Sequence, residues 1–181
     1  HPENQEIPVP LFLTGPEESK SYFQMIHNFI GATLGFEAQQ LYKIILADPK
    51  QVAETVKQSI DEMKLKRKAS GDSFFFNWQL KIDQDFTIPF NPTHENMAGL
   101  ELQRDLPPVV LAANLRKAFS GIVAGNVKSS GIEAVEKYGP FELNGDPEIM
   151  EPLEKLLSSL AAKGRMKLHS SKYKPCYRVA A

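Results

Sequence analysis

The chain opens with a short apolar run, Val9 to Leu13, entered through Pro8 and Pro10. Short apolar runs of this kind, with proline at the entry, predict a strand. Gly15 and Pro16 then mark a turn, and Pro16 is placed as a first helical residue with Glu17 and Glu18 in the first turn, complementing the helix dipole. Tyr22, Phe23, Ile26, Phe29, Ile30 and Thr33 recur at helical spacing up to Gly35. A second strand is predicted in LYKIILAD. Asp48-Pro49 starts a further helix through Val52, Val56, Ile60 and Met63. Strand, helix, strand, helix is the rhythm of an α/β sheet with crossover helices.

The pattern changes at KLKRKASGD, where Lys64, Lys66, Arg67 and Lys68 lead into a Ser70-Gly71-Asp72 turn or loop. Beyond it, Phe74, Phe76, Trp78, Leu80 and Ile82 alternate with Ser73, Phe75, Asn77, Gln79 and Lys81, predicting a period-2 strand with an aromatic face. DFTIPF is read as its partner, confined to an edge by Pro89. A short helix capped by Thr93 follows, then a linking segment. Helix dominates from Pro107 to Tyr138, with Gly121 and Gly125 interrupting it and Gly131 breaking it. After Tyr138 the pattern predicts a short extended piece, an Asn144-Gly145 turn, an amphipathic helix ending at Gly164 and a terminal strand in YKPCYRVA.

The expected fold class is therefore α/β. Strand-helix units of a parallel sheet occupy residues 1–68, and a smaller mixed α+β domain occupies residues 69–181. Composition changes this little: with 42% hydrophobic and 24% charged residues the chain reads as an ordinary globular protein. A net charge of −1 gives no support to a nucleic-acid or membrane role, and no apolar run approaches the roughly 18 residues of a membrane helix. Cys176 is the sole cysteine, which excludes an internal disulfide and fits a reducing, cytoplasmic setting.

Candidate chemistry is sparse. The Leu11–Lys20 strand-turn-helix holds one glycine, where a dinucleotide fingerprint needs three, and it lacks the Gly-Lys-Ser/Thr ending of a phosphate loop. Glu17 and Glu18 would also repel a phosphate, so the segment reads as a structural turn. His94-Glu95 invites a metal reading, but position 98 is Ala where a zinc helix needs a second His; an exposed or capping His is expected. No cofactor or metal is implied. Cys176 reads as a small core residue. The Lys64–Lys68 run has two readings. It is either a solvated helix end, since cations suit a C-terminus, or a site where Arg67 and Lys68 hold an anionic nucleotide. Arg116 and Lys117, with Ser120, Asn126 and Lys128, form a weaker second anion candidate. GIVAG fits a close helix–helix contact, and the aromatic strand reads as core or subunit interface.

Several runs resemble a known family. PLFLTGPEESKSYFQMIHNFIGATLGF followed by YKIILADPKQVAETV is similar to the final strand, helix, strand and helix of the Rossmann-like domain of the lonely-guy (LOG) family. SGDSFFFNW, FNPTHENMAGL, LRKAFSGIVAGNVK, FELNGDPEIM and YKPCY resemble the C-terminal extension of its long bacterial subgroup, nucleosidases of pyrimidine and purine nucleoside 5′-monophosphates. The resemblance implies hydrolysis of an N-glycosidic bond to free base and ribose 5-phosphate, and a homo-oligomer. It also makes the segment at Val9 the end of a nucleotide-binding domain rather than its beginning. The family motif Pro-Gly-Gly-x-Gly-Thr-x-x-Glu does not occur in these 181 residues, so no catalytic residue is assigned and the chain alone is expected to be inactive. The alternatives to a nucleosidase part are a module that takes a regulatory polyphosphate nucleotide of the alarmone type at the Arg67-Lys68 region, or an oligomerisation domain without catalysis.

Overall fold

A computed structural model describes residues 10–69, 88–168 and 173–180. The chain divides into two units, His1–His27 with Gln39–Asp83 and Asn28–Ala38 with Gln84–Ala181. The expected aromatic strand at 73–82 and the loop at 70–72 lie outside the described residues. Of DFTIPF only Ile88–Phe90 are described, and these three are irregular rather than strand.

In the first unit β1 (Leu11–Gly15) and β2 (Tyr42–Leu46) lie parallel, paired from Leu11 opposite Tyr42 to Gly15 opposite Leu46. Parallel strands need a crossover. It runs through a 3-10 turn at Glu17–Ser19, then α1 (Lys20–Leu34) and α2 (Phe36–Gln39). Pro16 is therefore not the first helical residue. It is extended (φ −67°, ψ 165°) and precedes the 3-10 turn, and regular helix waits until Lys20. Gly35 ends α1 at φ 90°, a left-handed position that glycine takes without a Cβ clash. His27 Nδ1 lies 2.9 Å from the Tyr42 hydroxyl, tying the first half of α1 to β2. Ala47 follows β2 in a left-handed conformation (φ 51°), and its N–H donates to the Gly15 carbonyl at 2.9 Å. The Asp48 carboxylate then accepts the Gln51 N–H at 2.8 Å and caps α3 (Pro49–Ala69).

The second unit contains α4 (His94–Ala98), β3 (Glu101–Leu102), α5 (Pro108–Val127), α6 (Ser129–Tyr138), β4 (Phe141–Gly145), α7 (Pro147–Ala162) and β5 (Tyr177–Val179). Among the described residues its three strands are parallel in the order β3-β4-β5. The strand β3 sits where the pattern predicted only a link; two residues are too few for alternation to register. The Thr93 hydroxyl accepts the Asn96 N–H at 3.1 Å, the expected cap of α4. Along β4 Phe141 and Leu143 are buried while Glu142 and Asn144 face outward. They join Met97, Leu102, Leu111, Ile122, Ile149, Leu153 and Leu157 in one core.

Two turn expectations fail here. Asn144 and Gly145 form no hairpin turn; they finish β4 opposite Glu101 and Leu102. The chain turns at Asp146 instead, whose carboxylate accepts the Arg104 N–H at 2.7 Å. Nor does Gly131 break the long helix. The break is at Lys128, extended at φ −93° and ψ 132°, and Gly131 lies inside α6. Close approach explains the glycines of α5. A Cβ on Gly121 would come within 2.2 Å of Met97 Sδ on α4, and one on Gly125 within 2.8 Å of Cys176 Sγ. Gly121 thus serves a helix contact as expected, whereas Gly125 admits Cys176 and the Phe141 ring of β4.

Candidate functional site

Arg67 and Lys68 occupy the last turn of α3 in the first unit. Lys64, Lys66 and Lys68 are exposed there, and Lys64 Nζ reaches Asp61 Oδ1 at 3.7 Å. Cations in this position complement the carbonyl end of the helix, and the Lys64 pair, exposed at both ends, contributes little.

Arg116 and Lys117 are adjacent on α5 in the second unit, both half-buried. Arg116 lines a hollow of about 650 Å³, together with Ser120 and Lys128. Lys117 is not among its walls, and Asn126 is engaged elsewhere: its Nδ2 donates to the Ile122 carbonyl at 2.9 Å and to Cys176 Sγ at 3.0 Å. Helical spacing explains the split, because positions 116, 120 and 123 lie along one face while 117 is rotated from it. The remaining walls are largely apolar. Phe29 and Phe119 meet edge to face, with ring centres 5.6 Å apart, and Phe90 lies beside them. Sequence reasoning missed this convergence. The three rings come from α1, the segment before α4, and α5, and nothing local links them.

His94 is neither exposed nor a cap. Its Nε2 lies 2.8 Å from the Gly139 carbonyl, which can only accept, so that nitrogen carries the proton. The ring packs 4.7 Å from Phe141 and edge-on to Tyr138. This is a packing role, produced by the contact of α4 with β4. Among the described residues no group of three His, Cys, Asp or Glu side chains could hold a metal ion. No described helix is long and apolar enough to cross a membrane.

A second polar cluster surrounds β5. The Tyr177 hydroxyl donates to Glu154 Oε2 at 2.5 Å. Burial, followed by the Glu154 contact, raises its ionisation well above the ordinary tyrosine range. Tyr173 is raised for the same reasons. Burial pushes the Cys176 thiol up to about 11, outweighing a backbone hydrogen bond and the Asn126 hydrogen bond, which act the other way. A thiol that remains protonated is a poor nucleophile. Cys176 is therefore the core residue its sequence context implied, 4% exposed.

Comparison with known proteins adds a family. Residues 60–180 match the family described as "Pyrimidine/purine nucleotide monophosphate nucleosidase, C-terminal". The chain is 49% identical over 179 residues to the pyrimidine/purine nucleotide 5′-monophosphate nucleosidase of Escherichia coli (strain K12). The same identity holds for the proteins of that description from strains O6:H1 and O157:H7. The alignment takes in 99% of this chain and 39% of the relative.

Proposed function

Because the chain belongs to the family of C-terminal regions of pyrimidine/purine nucleotide monophosphate nucleosidases, we propose that it works as that part of such an enzyme. The parent hydrolyses the N-glycosidic bond of nucleoside 5′-monophosphates to free base and ribose 5-phosphate. The family match over residues 60–180 carries this reading. Residues 1–68 close a LOG-type, Rossmann-like nucleotide-binding domain, and residues 69–181 form the extension. The parent is a cytoplasmic homo-oligomer. Bond cleavage builds oxocarbenium character on the ribose; a placed carboxylate stabilises it and activates water, while backbone donors anchor the phosphate. Those groups belong to the Pro-Gly-Gly-x-Gly-Thr-x-x-Glu motif, absent from this sequence. What this chain supplies is sheet completion, assembly and regulation. The expected result is base release from CMP or GMP by the longer protein and none by this chain alone. Turnover by this chain would overturn the division of labour, and an inert longer protein would overturn the activity itself.

A second reading concerns regulation and is supported by the exposed Lys64, Lys66 and Lys68 at the end of α3. Arg67 and Lys68 hold a polyphosphate nucleotide of the alarmone type, with Arg116 and Lys117 as a further anion-contacting pair. Such a ligand would act allosterically, through different affinities for two states of the parent. Replacing Arg67 and Lys68 by Ala lowers affinity for a guanosine polyphosphate about tenfold or more, read by calorimetric titration at low salt. An unchanged isotherm removes the assignment.

A further inference from the structure

We propose that Arg104 latches the end of α1, and that its release opens one wall of the hollow in the second unit. The latch is a conformational device of the fold and does not depend on the nucleosidase reading.

The last carbonyls of a helix have no partner inside it, and Ala32 and Thr33 carry two of these in α1. A single nitrogen of the Arg104 guanidinium, Nη1, donates to both, to Ala32 at 2.9 Å and to Thr33 at 2.7 Å. A cation at this end also complements the helix dipole. Arg104 is anchored in turn through its main chain, whose N–H donates to Asp146 Oδ2 at 2.7 Å, directly after β3 has paired with β4. The backbone anchor does not depend on the side chain, so the hook can be removed while its mount stays. What the hook holds is the part of α1 grouped with the second unit. Phe29 and Leu34 lie on that part, pack against the second core and line the hollow. Arg104 itself is exposed, so water can take the place of the two carbonyls without a buried group being uncovered at the guanidinium. Contacts of this kind open locally, ahead of global unfolding, whereas Leu153 and Leu157 of α7 are released only with the core. When the guanidinium lets go, the last turn of α1 loses both bonds together, and Phe29 and Leu34 lose the support that keeps them against Phe119 and the core.

The test is hydrogen exchange of the full chain, read by mass spectrometry in peptides covering residues 28–36 and 149–157. In the native chain, exchange in 28–36 is expected to depend little on low urea concentrations, as a local opening does, while exchange in 149–157 follows global unfolding. Both segments exchanging together overturns the latch, whatever the variants do. Arg104→Met keeps the aliphatic stem and removes the donors. It speeds exchange in 28–36 about tenfold and leaves 149–157 within about twofold, with an unchanged circular dichroism spectrum. Arg104→Lys, which keeps a donor cation, lies between Met and the native residue. Unchanged exchange in Arg104→Met, or acceleration spread equally over both segments, overturns the proposal. Lys no better than Met overturns the two hydrogen bonds as its cause. Nile red, a neutral dye of apolar surfaces, fluoresces more strongly with Arg104→Met than with the native chain; equal fluorescence overturns the opening of the hollow.

Discussion

The two units of this chain spend their apolar residues differently. In the second, Phe141, Leu143, Ile149, Leu153 and Leu157 from β4 and α7 meet Leu111 and Ile122 from α5 in one closed core. Among the described residues of the first, Ile45 is the only buried hydrophobic one, at 7% exposure, while Leu11 and Leu41 stand 55% and 72% exposed. Parallel strands are ordinarily covered on both faces, and two strands alone are marginal. Among its described residues the first unit thus has the paired strands of a parallel sheet with little of the burial. The second has a core of its own.

The largest effect expected from this contrast is in truncation of leucines. Leu153→Ala opens a cavity in the closed core and costs about 2–5 kcal/mol in denaturant unfolding. Leu11→Ala in this chain alters stability by no more than about 0.5 kcal/mol, as at an exposed site. In the longer protein the Leu11 variant becomes costly if further strands cover β1. An equally small effect there breaks the comparison.

A smaller effect sharpens it from the second unit. Cys176 is held protonated by burial up to about 11, above its ordinary value of 9.0. A raised pKa of this kind favours the folded state fully below the unfolded value, and the contribution is lost as pH rises towards the folded value. The melting temperature should therefore fall between about pH 9 and 11 more steeply in the native chain than in Cys176→Ala. In the same protein at pH 8, the thiol should react with a disulfide reagent only on unfolding. Parallel melting curves, or fast labelling of the folded chain, contradict the packing of Cys176 against Gly125.

Local chemistry was legible wherever it acts over a few residues. The Asp48 and Thr93 caps, the helix ending at Gly35 and the strands at Leu11, Tyr42 and Tyr177 follow from side-chain periodicity and short-range hydrogen bonding. The misreadings share one cause. Asn144-Gly145 has the composition of a turn and Gly131 that of a breaker, yet both positions are glycine for space. At Gly145 a Cβ would crowd Leu102 and Met150, and at Gly131 it would lie 2.3 Å from the Ala124 carbonyl oxygen. His94 was misjudged in the same way, because Gly139 and Phe141 are distant in sequence.

Of the candidate site, the sequence displayed the cations but not their company. Arg116, Ser120 and Lys128 could be named from spacing; that they face Phe29 and Phe90, while Lys117 and Asn126 do not join them, required the fold. By itself the sequence determined the order and kind of most elements, the family, and the charge available at each candidate position, because these depend on neighbours along the chain. Only the tertiary structure decided which glycines serve close approach, which unit owns a core and which cations share a cavity. Those outcomes depend on contacts between residues far apart in the chain, and burial is settled by the whole set of packed elements at once.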